Sequence, residues 1–122
     1  MLVTMAQNTT LVADSSSATV MTTDPMPIGN SSLNACMLTA NVHRAFAMGG
    51  SSTFTLKLVV QGSNDGQNWH DTTAEIEKFA EGNYDQGGAC EFAFARLQAT
   101  LTVTSGDWAM ALFDAHVNFV ST

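Results

Sequence analysis

The stretch LVVQGSNDGQNWHD, residues 58–71, decides the fold. An alternating apolar run enters it, the polar cluster Gly62-Ser63-Asn64-Asp65-Gly66 interrupts it, and Trp69 follows three residues after the second glycine. Such a cluster between two alternating runs signals a β-hairpin. Asn64 and Asp65 can bond their own backbone, and Gly66 supplies a positive φ at no steric cost. Trp69 is then expected to close the sheet end and to pack on the core face. The same loop offers oxygens from Asn64, Asp65 and Asn68, but it lacks the D-x-[DN]-x-[DN]-G spacing and distal glutamate of a calcium loop. No metal or other cofactor is therefore assigned.

Working outward, Phe54, Leu56, Leu58 and Val60 alternate with Thr53, Thr55, Lys57, Val59 and Gln61, the period-two pattern of a strand. WHDTTAEIEKF, 69–79, reads as its hairpin partner. ACMLTANVHRAF, 35–46, alternates in the same way, as does WAMALFDAHVNFV, 108–120, whose core face is predicted to be Ala109, Ala111, Phe113, Ala115, Val117 and Phe119. ATVMTT, 18–23, is a short strand. ACEFAFARLQATLTVTS, 89–105, is a long strand or a bent pair whose bulky face switches near Arg96, which predicts a bulge or bend there. DPMPIGN, 24–30, MGGSS, 48–52, AEGNYDQGG, 80–88, and Ser105-Gly106-Asp107 read as turns or loops. Residues 1–17 read as a polar N-terminal arm preceding a β-domain over 18–122. The fold class is all-β, a single antiparallel β-sandwich or jelly roll.

Composition narrows the function. The chain has 122 residues, enough for one domain with its own core. Only 12% are charged, about half the usual share, so neighbours are expected to cover part of the surface. Net charge is −7, and Arg44, Lys57, Lys78 and Arg96 are the only strong bases. A nucleic-acid partner and an anionic membrane are both disfavoured. No apolar run is long enough to span a bilayer as a helix, and the first residues lack the basic and apolar regions of a secretory signal. Cys36 and Cys90 lack zinc spacing. Two buried thiols, or a disulfide formed after release from the cell, both fit.

Catalytic patterns are missing. His43, His70 and His116 form no HxH or HExxH, and neither GxSxG nor GxxxxGK[ST] occurs. Asp71, Glu75, Glu77, Glu81, Asp85 and Glu91 crowd the middle of the chain and read as a solvated edge that discourages strand-to-strand aggregation. Met21, Met26, Met37, Met48 and Met110 serve either irregular core gaps or a subunit interface. The expectation is a protein that is not an enzyme.

The segment GSNDGQNW, 62–69, resembles the SNDGxxW hairpin of small β-sandwich structural proteins of tailed bacteriophages. It also resembles discoidin-type, galactose-binding-like domains, and that second likeness extends into FAEGNYD, 79–85, and FARL, 94–97. The first resemblance implies a virion component made in the host cytoplasm. Such a component would decorate or cement a capsid, contact other virion proteins (the major capsid protein or tail components), and form homo-oligomers. On this reading the N-terminal arm clamps a neighbour by strand addition. The second resemblance implies a carbohydrate-binding module, with Trp69, Tyr84, Arg96 and Trp108 as the sugar-contacting candidates.

Overall fold

On β8 (Phe94–Ser105) and β9 (Trp108–Val120) the alternation of the sequence becomes alternation of burial. The computed structural model describes residues 1–29, 33–49, 53–78 and 80–121. Asn30, Gly50, Ser51, Ser52 and Phe79, which belong to segments read above as turn, loop and strand end, lie outside the described residues. The described strands are β1 (Leu2–Asp14), β2 (Thr19–Thr22), β3 (Met26–Pro27), β4 (Ala35–Met48), β5 (Thr53–Ser63), β6 (His70–Lys78), β7 (Gly82–Ala89), β8 (Phe94–Ser105) and β9 (Trp108–Val120). No helix occurs among the described residues.

These strands form two antiparallel sheets. The first has the order β1-β9-β4-β7 and the second β2-β8-β5-β6, with β3 also paired to β8. Leaving out the two-residue β3, each sheet has four strands and the chain crosses between sheets after β1, β2, β4, β6, β7 and β8. Two four-stranded sheets interleaved in this way make a jelly roll. The core lies between them. On β9 the face predicted from sequence is the buried one, with Phe113 and Val117 at 0% exposure. Opposite it, Leu56, Leu58 and Val60 of β5 and Leu97, Ala99 and Leu101 of β8 complete the layer. Apolar area removed from water drives this packing at about 25 cal/mol per Å².

Four expectations are corrected. First, the supposed polar arm is β1, a 13-residue edge strand paired along its length with β9, and Ala6, Leu11 and Ala13 enter the core. Second, residues 82–88, read as part of a loop, belong to the edge strand β7, paired with β4. Its glycines permit close approach rather than a turn: a Cβ on Gly88 would lie 2.6 Å from the backbone nitrogen of Ala74 on β6. Third, β8 holds an unbroken register with β5 from Phe94 to Val103, so no bulge occurs at Arg96. Its core face is Ala95, Leu97, Ala99, Leu101 and Val103 throughout. Fourth, Trp69 does not pack on the core face. It lies on the outer face of the second sheet against Arg96, whose neighbours Ala95 and Leu97 point inward.

Candidate functional site

Three surfaces gather the side chains that could act. The first is the hairpin between β5 and β6. Asp65 is the hub of its turn. The Asp65 Oδ1 accepts from Gln67 N and Asn68 N, both at 2.8 Å, and from Ser63 Oγ at 2.9 Å, while Oδ2 accepts from Asn68 Nδ2 at 2.6 Å. These donors hold the carboxyl well below the usual carboxylate range, the Asn68 amide first among them. Gly66 sits at φ +75°. Asn64 turns the other way, and its Oδ1 accepts from Ala93 N at 3.1 Å, tying the hairpin to the segment before β8. A carboxylate so occupied by its own loop has little capacity left for a cation.

Beyond the turn, a polar chain crosses the outer face of the second sheet. Arg96 Nε donates to Gln61 Oε1 at 2.8 Å, and Gln61 Nε2 donates to Asp71 Oδ1 at 2.8 Å. The indole of Trp69 covers Arg96. Gly62, beside Gln61, leaves room for the ring of Phe92, which stacks on His70 at 5.9 Å between centroids.

The second surface is the seam where edge strands β6 and β7 meet. It carries two shallow depressions. One, of about 380 Å³, is lined by Asp71, Thr72, Thr73, Ala89, Glu91 and Phe92. The other, of about 330 Å³, is lined by residues that include Glu75, Glu77, Lys78, Tyr84 and Asp85. The Tyr84 hydroxyl donates to Ala80 O at 2.9 Å, and Lys78 lies over its ring at 5.1 Å. No group of three or more His, Cys, Asp or Glu able to hold a metal ion is present among the described residues.

The third surface is the outer face of the first sheet. Its middle is polar and centred on Asp114. His43 sits at an irregularity of β4 between Val42 and Arg44, and β1 has irregularities on either side of Ala6. Bulges re-aim side chains, and here they turn both flanking strands toward one carboxylate. Asp114 Oδ2 meets His43 Nε2 at 2.7 Å, and Asp114 Oδ1 accepts the amide of Asn8, which has φ +46°. The Asn8 amide and then His43 hold Asp114 below the usual carboxylate range. Thr4 Oγ1 and His116 Nδ1 are 3.1 Å apart nearby. Toward the β8–β9 turn the same face becomes apolar. Phe46 and Trp108 meet edge to face at 5.7 Å, with Val12 and Met48 exposed beside them.

The four sugar-contacting candidates do not converge. Trp69 and Arg96 share the outer face of the second sheet, Tyr84 belongs to the seam, and Trp108 lies on the first sheet. Cys36 and Cys90 are brought together from 54 positions apart as two buried thiols, and no disulfide joins them. Contact with the Cys90 thiol and then burial push the Cys36 thiol far above the usual range. Sequence reasoning missed the Asp114 cluster and the apolar end of the first sheet. The signal was present in the outward residues Trp108, Met110 and Leu112, but their neighbours on β1 and β4 are set by pairing, which no single strand reveals.

No family model matches the chain. The search of curated proteins found no similar protein either. Solved structures do match. A chain in the structure of infectious bursal disease virus Gt strain superposes with a TM-score of 0.58 at 9% identity, covering 99% of this chain and 32% of that one. The infectious bursal disease virus VP2 subviral particle gives a TM-score of 0.55 at 8% identity, again covering 99% of this chain and 32% of that one. The CBM22-1 xylan-binding domain of Paenibacillus barcinonensis Xyn10C aligns at a TM-score of 0.43 and 11% identity, covering 91% of this chain and 86% of that domain. The chain thus spans about a third of the viral chains it matches, and it shares their β-sandwich fold.

Proposed function

We propose that this chain is a non-enzymatic structural component of a virion, a capsid decoration or cement protein of the tailed-phage kind. It binds the shell lattice and neighbouring copies of itself. It is made in the host cytoplasm and acts in the particle, with the major capsid protein or a tail component as its partner. One observation carries the reading: Val12, Met48 and Trp108, 54%, 51% and 36% exposed, lie together at one end of the outer face of the first sheet, whose far end carries the exposed Leu2 and Met37. A sheet end that exposes an aromatic ring and a methionine beside a polar middle suits protein contact. A small-molecule site would call for a concave, largely enclosed pocket. The likeness to viral shell chains fits the same reading at the level of the fold.

The test is to purify particles from the native source and quantify this chain against the most abundant shell protein by mass spectrometry. A fixed, high ratio is expected. Absence from particles, with the chain free in solution, overturns the proposal. Retention on a glycan array in that case would favour the carbohydrate-binding alternative.

A further inference from the structure

We propose that the apolar end of the first sheet closes on the same face of a second copy, through a two-fold contact centred on Met110; the inference rests on the assembly reading above. The register fixes what lies beside what. Val12, Met110 and Phe46 form one row across β1, β9 and β4. Asp14, Trp108 and Met48 form the row on one side, and Thr10, Leu112 and Arg44 the row on the other. Residues between these, such as Leu11, Ala13, Ala109 and Ala111, are buried, so the three rows point outward.

Strands spaced about 4.8 Å apart and rising about 3.4 Å per residue make the three rows a patch on the order of 250 Å². That is a small contact beside the roughly 800 Å² per partner of a stable complex, so the dimer is a weak one and charge, more than area, chooses the partner. The apolar rows form the centre of the contact, at one end of the sheet. The polar border includes Asp114, His43, His116 and Thr4, whose groups already bond one another or the chain.

Charge selects the arrangement. Lys57, Lys78 and Arg96 belong to the second sheet, which leaves Arg44 as the strong base of the first among the described residues. Its side chain is 66% exposed, and its link to Glu81 is loose at 3.8 Å. Asp14 occupies the diagonally opposite corner of the three rows. A two-fold axis lying in the interface along the Thr10–Met48 diagonal exchanges these corners. It sets Asp14 against Arg44 of the second copy, Trp108 against its Phe46, Val12 against its Leu112, and Met110 against itself. The two sheets then cross near a right angle, one of the accepted sheet packings. Such a contact is isologous and closed. An unrelated partner would need both an acid and a base at this diagonal spacing; a second copy supplies both.

The test uses sedimentation equilibrium on the full chain, with circular dichroism to confirm that each variant is folded. The wild type is expected to dimerise. Arg44→Glu and Asp14→Lys each place like charges together at both corners and should weaken the dimer about tenfold or more. An equimolar mixture of the two variants should recover the wild-type dissociation constant, because the heterodimer pairs opposite charges at both corners. Trp108→Glu should dimerise in no mixture. Because Asp14 also organises its own turn, Arg44→Glu and Trp108→Glu carry the test alone if Asp14→Lys fails to fold; wild-type affinity in both overturns the inference. A monomeric wild type overturns it as well. A dimer insensitive to all three substitutions overturns this surface but leaves the assembly reading intact. Absence from particles of a chain that passes the dimer test removes the assembly reading alone.

Discussion

The guanidinium carbon of Arg96 lies 4.2 Å from the centroid of the Trp69 ring, on the outer face of the second sheet. Arg96 reaches this place from β8, Trp69 from the end of the hairpin, and Gln61 of β5 accepts the Arg96 Nε between them. The stack therefore pins the hairpin to two neighbouring strands. A partly desolvated cation–π pair and a charge-assisted hydrogen bond together suggest a loss of about 1–3 kcal/mol for Arg96→Ala. Arg96→Lys keeps the charge but loses the planar stack and the Nε bond, so it should recover less than half of that loss. Urea unfolding of the three proteins checks this. Equal stability of Arg96→Lys and the wild type would mean that charge alone matters at this site.

Three surface carboxylates link the fold to acid pH. Asp65 is held low by the Asn68 and Gln67 amides, Asp114 by the Asn8 amide and His43, and Asp14 by Ser16 and Ser17. A depressed carboxylate stabilises the folded state above its unfolded pKa, and that contribution is lost as pH falls through the folded pKa. The contribution of these three groups is therefore expected to be constant near neutrality and to fall below about pH 4, the ordinary carboxylate value. Asp65→Asn should lower Tm at neutral pH. The gap between variant and wild type should close as pH falls through the folded pKa of Asp65. A gap that persists unchanged at the lowest pH measured would show that the carboxylate charge is not what the turn requires.

The legible parts of this molecule are those where one strand carries its own pattern. β5 and β9 announce their inner faces by simple alternation, and the hairpin announces itself by Gly62 to Gly66. β1 was obscured because its apolar residues Ala6, Leu11 and Ala13 are small or few. Its irregularities on either side of Ala6 also break the period just where a pattern would be counted. β7 was obscured because glycine marks both turns and close backbone approach, and only the neighbour decides which. The face of Trp69 is hidden for a related reason: its partner Arg96 is 27 positions away, on a strand whose bulky residues change side near it. Two phenylalanines, Phe92 and Phe94, drew the pattern off phase, although Ala95 and Leu97 carry the core.

Gly88 tests the seam between the sheets. A Cβ there would stand 2.5 Å from Thr73 Oγ1 and 2.6 Å from Ala74 N. The second of these is backbone, and the sheet edges must part to admit a methyl group. Gly88→Ala should cost about 1–3 kcal/mol, the range for overpacking. Gly66→Ala, where nothing lies within 4 Å, should cost only the strain of its positive φ. Thermal unfolding ranks the two. A harmless Gly88→Ala would mean that β6 and β7 slide freely at this point.

Cys36 and Cys90 make a prediction about chemistry. Both are buried, Cys36 at 3% and Cys90 at 1% exposure, so neither sulfur is open to solvent. A thiol-specific colorimetric reagent should find no reactive group in the native protein and two in denaturant without reductant. Finding none after denaturation would mean that the pair is oxidised in the isolated protein.

The last prediction concerns β1. As a detachable arm it could be removed while the domain stayed folded. As the edge strand of the first sheet it contributes Ala6, Leu11 and Ala13 to the core and pairs with β9 from Leu2 to Asp14. Its removal strips the side chain of Leu11 from the core, a loss of about 1.5–3 kcal/mol by itself. It also bares the backbone donors and acceptors of β9, whose inner face is apolar, and an uncovered apolar edge invites pairing with other chains. Deletion of residues 1–14 should therefore lower Tm sharply and produce aggregates on heating. Leu11→Ala should reproduce part of the stability loss, about 2–3 kcal/mol, without baring the edge. If the deletion leaves Tm unchanged, β1 is an appendage after all, and β9 is itself a competent edge. If Leu11→Ala is destabilised but stays soluble while the deletion aggregates, the two contributions of β1, core packing and edge protection, are separated.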